Sequence, residues 1–211
     1  EYNQNNAWNV NFSSGNTNNN NKYNGNAVRA VAALGVEVKI GWLVAFHDCC
    51  ANKKSSYECC DYRMHYELDL WILIYEVYTR AYRPGKSTCF VVTRPKLREV
   101  FAAAFRDRIV HHWICLRLNP LFEARFNAQG NVSHNCRKGY GTSSAVTAFA
   151  EDVRIVTQDY TRQAWIGKFD VKAFFMSIGP VLLWDLLRPF IEENYKGSDK
   201  GTLLFLTEVV I

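Results

Sequence analysis

An α+β fold is the class this sequence predicts, and three observations predict it. Several segments repeat apolar residues every three or four positions, as helices with one buried face do. Two short β-rich runs, Phe90 to Val92 and Leu97 to Phe101, flank the turn-forming Arg94-Pro95-Lys96. A further run over 164–171 has the length and apolar character of a buried strand. Helices, then a hairpin, two helices, a strand and a last helix make a mixed order rather than a strict alternation.

The elements follow in chain order. Twelve of residues 1–26 are Asn, including the run Asn18 to Asn21. So little apolar surface does not offset the backbone entropy of ordering, about 1–2 kcal/mol per residue. The segment is expected to be a disordered tail or a piece of another fold, with Trp8, Val10 and Phe12 alternating as in a short strand. Residues 27–48 regain apolar character, and 48–63 form a polar, cysteine-bearing stretch. Residues 66–80 read as a helix with Leu68, Trp71, Ile72 and Tyr75 on one face, and Arg83-Pro84-Gly85 breaks the chain behind it.

After the hairpin, Phe101, Phe105, Ile109, Trp113 and Leu116 mark a helix that Asn119-Pro120 is expected to end. Gly139 to Thr142 is a glycine-rich turn. Thr142 or Ser143 caps the next helix, whose stripe is Val146, Phe149, Val153 and Val156. Gly179-Pro180 opens the last helix, because proline's missing N–H costs little in a first turn.

Composition narrows the function. The chain has 211 residues, 48% of them hydrophobic, with a net charge of +5 and a pI of about 8.8. The excess is local: Arg80 to Lys138 holds twelve Lys or Arg against three acids. A phosphate-tracking surface and a plain solvated face both fit that block. Seven cysteines, an odd number, and no secretory leader point to a reduced, cytoplasmic protein. The longest apolar run, Leu70 to Tyr75, is far short of the roughly 20 residues a bilayer needs, so no membrane partner is expected. Cys49-Cys50 and Cys59-Cys60 lack the Cys-x₂-Cys spacing of structural zinc and read as buried or loop thiols.

The chemistry concentrates at 168–178. On a strand Ile166, Lys168 and Asp170 share one face, with Trp165, Phe169 and Val171 roughly opposite. A carboxylate at the end of a buried strand needs a partner. A helix cap, an ion pair with Lys168 or Lys172, and a metal all supply one. The stretch resembles the first catalytic motif of reverse transcriptases of the group II intron, retron and diversity-generating type. The match runs through Asp170, Val171, Lys172, Ala173, Phe174, Phe175 and Ile178. That resemblance implies that Asp170 ligates two Mg²⁺ ions, with Mn²⁺ as a substitute, and that the Val171 carbonyl ligates one of them. It implies that Phe175 packs under the incoming sugar and excludes a 2′-OH.

Three earlier blocks resemble the same family. They are Tyr82-Arg83-Pro84-Gly85 to Phe90-Val91-Val92, Pro95-Lys96-Leu97-Arg98-Glu99-Val100-Phe101 with 105–112, and Cys136 to Thr142. Four blocks in order over about 100 residues make the signal specific. By the resemblance Arg98, with Lys96, reaches the incoming triphosphate, a role suited to a planar guanidinium. Arg106, Arg108, Arg137 and Lys138 are read as contacts to the template backbone. Gly139 and Gly141 allow backbone to approach the template, although a plain turn explains them as well. Asp107, between two arginines, reads as an internal ion-pair partner, and His111 and His112 as packed or solvated side chains.

The resemblance implies a right-hand polymerase: fingers and a partial palm, truncated before the catalytic Asp-Asp hairpin. The divisions expected are 1–34 (Asn-rich head), 35–80 (N-terminal helical region), 81–163 (fingers) and 164–211 (start of the palm). Residues 7–30 also resemble the end of a C-type-lectin-like variable domain, and so a translated template repeat of a diversity-generating retroelement. The implied partners are an RNA template, a DNA or RNA primer, a deoxynucleoside triphosphate and a basic accessory protein. With a single catalytic carboxylate, the 211 residues are expected to be inactive alone. A non-catalytic RNA-binding module is the alternative. A fragment of a surface protein, suggested by the head, is a more distant one.

Overall fold

In the computed structural model, the structure describes residues 29–51, 53, 56–95, 97–172 and 174–211, with the side chains of Phe175 and Met176 left out. The Asn-rich head, Lys96 and the Phe175 side chain therefore lie outside the described residues. Within them the chain is α+β: seven helices and one two-stranded antiparallel sheet. The helices are α1 (Val36–Cys50), α2 (Tyr57–Tyr78), α3 (Phe105–Ala128), α4 (Thr142–Val156), α5 (Phe174–Ser177), α6 (Pro180–Asn194) and α7 (Lys200–Val210). The strands are β1 (Thr88–Val92) and β2 (Arg98–Ala102), where the turn chemistry and β-rich runs place them. No helix among the described residues is long and apolar enough to cross a membrane.

Compactness divides the chain in two. The first unit comprises 29–117 and 191–211, and the second 118–190. The first unit holds nearly all of the core. Trp42, Ala45, Phe46 and Cys49 of α1 are buried there, with Leu70, Leu73, Ile74 and Val77 of α2 and Leu203 and Leu206 of α7. From α3 come Phe105, Ile109, Val110 and Trp113. Trp42 and Trp113 stack with centroids 5.1 Å apart and planes 18° from parallel. None of the seven cysteines is joined to another, and Cys49, Cys50 and Cys59 are buried. Burial pushes the Cys50 thiol up to about 12, assisted by its hydrogen bond with Cys59.

Several expectations are corrected, four of them in the placing of helices and strands. Helix α2 begins at Tyr57, not 66, because the polar residues of its first turns stay on the wet side while Cys59 faces inward. Its buried stripe is Leu70, Leu73, Ile74 and Val77, whereas Leu68, Trp71, Ile72 and Tyr75 are only half-buried. The run Leu70 to Tyr75 is apolar at every position, so periodicity there has no face to choose. Helix α3 runs through Pro120 to Ala128. Proline removes the bond to the Leu116 carbonyl at a cost of roughly 3 kcal/mol. Phe122, stacked between Phe126 and Phe190 at 6.4 and 5.1 Å, offsets it by packing on the far side.

The fourth correction is the strand over 164–171, which does not form. The segment has no regular structure and no pairing, with Trp165 90% and Phe169 94% exposed. A strand exists through backbone pairing, and no described segment pairs with this one. In the second unit Val146, Phe149 and Val156 of α4 are also exposed, so that the expected stripe faces outward. The α4 cap is Gly141 rather than Thr142 or Ser143. Ser144 Oγ, three residues on, accepts the Gly141 N–H at 2.9 Å.

Candidate functional site

The hairpin comes first, because its register fixes what it presents. Thr88 pairs with Ala102, Phe90 with Val100 and Val92 with Arg98. Opposed residues share a face, so Arg98 lies with Phe90, Val92 and Val100 at the turn end of the ribbon. Arg98 is exposed, as are Lys86 and Arg94. Only Val92, Val100 and Ala102 of the two strands are even half-buried. The ribbon stands out from the helices with an apolar and cationic surface on show.

Behind it sits a buried carboxylate. Asp107, at the start of α3, is 2% exposed. Its Oδ1 accepts the Tyr82 hydroxyl at 2.9 Å and its Oδ2 accepts the Gly85 N–H at 2.8 Å. Arg106 Nε lies 3.9 Å away, making the weak ion pair expected of this acid. Burial, with the adjacent Asp107 carboxylate, pushes the Tyr82 phenol far up, so it stays a donor. A Cβ on Gly85 would come within 3.2 Å of Oδ2. Tyr82 and Gly85 were read only as parts of a family block. The sequence signal for their partner was an acid on the stripe Asp107, Val110, Ile114, where its neighbours are buried.

The arginines assigned to a template are engaged within their own units. Arg106 pairs with Glu76, and Arg108 with Glu58 and, at 2.8 Å, the Ala103 carbonyl. Arg137 is the most confined, its side chain 1% exposed. It donates to Glu123, Asn127, Asn131 and the Ser133 carbonyl, all between 2.8 and 3.2 Å. Its guanidinium also lies 3.9 Å from the Tyr140 ring centroid. These bonds hold the Glu123 carboxyl below its usual range. A phosphate at any of the three would compete with an acid already in place. Lys138 is exposed. Gly139 has φ +82°, a turn conformation that favours glycine, and Gly141 is extended; no atom lies within 4 Å of a Cβ built at either.

Asp170 and Val171 are exposed on the unpaired segment of the second unit. Arg98 belongs to the first unit. Among the described residues no three His, Cys, Asp or Glu side chains gather as a metal site. One carboxylate and one carbonyl at 170–171 do not fit a pair of Mg²⁺ ions, which prefer several oxygen ligands held in near-octahedral geometry. His112 Nδ1 meets Asp48 Oδ2 at 2.6 Å, and His111 is half-buried, so both histidines are structural neighbours of the core. No protein-family model matches this chain, and no curated protein matches it.

Proposed function

We propose that this chain is the fingers and first palm segment of a reverse transcriptase of the group II intron, retron or diversity-generating type. Its own contribution is to hold template RNA and an incoming deoxynucleoside triphosphate. The β1–β2 hairpin carries the reading: a projecting ribbon with Arg98 exposed at its turn end and Lys86 and Arg94 alongside. An exposed guanidinium on a ribbon suits a triphosphate, whose paired oxygens match its donors. Polymerisation itself needs carboxylates beyond Asp170, and no metal step is assigned to these residues.

The test is RNA binding followed by fluorescence anisotropy, with a labelled RNA primer–template and the full chain. Three phosphates met by Lys86, Arg94 and Arg98 give a log–log salt slope of about −2 to −3. Arg98→Ala should weaken binding of a deoxynucleoside triphosphate about tenfold and leave RNA affinity within threefold. Salt-independent or absent RNA binding would sink the proposal. One observation favours a second reading, RNA binding without polymerisation: no metal-capable cluster forms around Asp170 among the described residues. Under it, RNA affinity is unchanged by Mg²⁺ and by Asp170→Asn, and a chain extended by further palm carboxylates still fails to copy RNA.

A further inference from the structure

We infer that Asp107 is a positioning residue: from the start of α3, its buried carboxylate ties the connection that enters the β1–β2 hairpin to the helix that follows it, and so sets where Arg98 stands. The role given to Arg98 rests on the reading above; the clasp does not.

Packing does not hold the hairpin. Seven of its ten strand residues are exposed, so its pose depends on the two connections to the helices. Asp107 joins them, its backbone standing at the end of the second connection and its carboxylate bonding the first. Gly85, three residues before β1, gives its N–H to Oδ2, and Tyr82, further back in the same connection, gives its hydroxyl to Oδ1. On the other side Asp107 follows β2 by five residues, and its own N–H bonds the Ala104 carbonyl at 3.0 Å. Tyr82 is fully buried and cannot swing away. Arg106, 3.9 Å from the carboxylate, is itself held by Glu76.

A buried carboxylate is a costly way to join two segments, and an apolar contact would join them as firmly. The carboxylate adds direction, since two donors at fixed angles define an orientation. Direction matters here because of leverage. Arg98 pairs with Val92, four residues beyond the Thr88–Ala102 foot. At about 3.3 Å per residue, that puts it about 13 Å out. A tilt of about 10° at the foot moves Arg98 by roughly 2 Å, enough to break paired hydrogen bonds to an anion.

The test uses the 211-residue chain with Asp107→Asn, and with Tyr82→Phe as the milder variant that keeps the buried ring. Backbone hydrogen exchange of Phe90 to Val92 and Val100 should rise at least tenfold in Asp107→Asn and several-fold in Tyr82→Phe. Exchange in α1 and α2 should stay within twofold. Deoxynucleoside triphosphate affinity should fall about as far as in Arg98→Ala, and the Asp107→Asn, Arg98→Ala double variant should be no weaker than Arg98→Ala alone. Unchanged hairpin exchange in Tyr82→Phe, or a rise spread evenly over the unit, overturns the inference. Selective loosening of the hairpin with triphosphate affinity untouched in all variants upholds the clasp and overturns the polymerase reading instead.

Discussion

Asp199→Asn should destabilise the first unit at neutral pH and progressively less as pH falls below 3.8. The residue stands at the N-cap position of α7 with its carboxylate turned elsewhere: Oδ2 accepts Arg117 Nε at 2.7 Å and Oδ1 accepts the Tyr195 hydroxyl at 2.6 Å. Burial alone would raise this carboxyl. The Tyr195 and Arg117 hydrogen bonds overcome that and hold it below the ordinary 3.8. Asparagine keeps the shape and one acceptor but loses the charge. Charge-assisted bonds contribute about 1.5–3 kcal/mol each. With about a fifth of each ion-pair side chain still exposed, solvent screening reduces the expected loss to about 1–2 kcal/mol.

A depressed carboxyl binds fewer protons when folded than when unfolded, so its contribution is present above the unfolded value. It fades as pH falls through 3.8 and the folded value beneath it. Urea unfolding of both proteins at pH 7 and at pH 3 reads this directly. With a slope of about 2 kcal/mol/M, the midpoints should differ by roughly 0.5–1 M at pH 7 and by clearly less at pH 3. Equal separation at both pH values refutes the argument, because the loss would then come from shape rather than charge.

Two further outcomes follow from the core. Trp113→Ala removes a fully buried ring that stacks on Trp42 and lies 3.4 Å beneath the Arg117 guanidinium, so it should cost about 3–5 kcal/mol in chemical denaturation. Trp113→Phe should cost less than half of that. His111 is held below its ordinary 6.5 by burial, against a smaller opposing pull from Asp107. The unfolded chain therefore takes up a proton first as pH falls through 6.5, and stability drops below that point. His111→Gln should flatten the stability curve between pH 6.5 and 5 relative to the parent, with a lost slope of at most about 1.4 kcal/mol per pH unit.

What the sequence disclosed depended on how local the physics was. The hairpin could be read because a turn signal and two β-rich runs lie within fifteen residues. The start of α6 at Pro180 could be read because proline fits a first turn. The buried face of α2 was hidden by the unbroken apolar run Leu70 to Tyr75, and the course of α3 past Pro120 by a stacking partner at Phe190, seventy residues on. The segment 164–171 has the composition of a strand, but composition does not supply a pairing partner. At the candidate site, Arg98 was visible as an exposed cation on a ribbon. The engagement of Arg106, Arg108 and Arg137 was not, since Glu76, Glu58 and Glu123 lie 14 to 50 residues away. The same distance hid the clasp, in which Asp107 meets Tyr82 and Gly85 across 25 and 22 residues.

The Arg137 knot constrains change in chain length as well as sequence. One guanidinium gathers acceptors from Glu123 and Asn127 on α3 and from Asn131 and Ser133 in the following loop. Asn131 and Cys136 both sit at positive φ, so the loop folds back tightly on this single side chain. An added residue between 131 and 137 shifts Arg137 away from Glu123, Asn127 and Asn131 at once, while an added residue at the exposed β1–β2 tip disturbs nothing buried. Insertions at the hairpin tip therefore test the position of Arg98 without touching the core, whereas this loop has a fixed length.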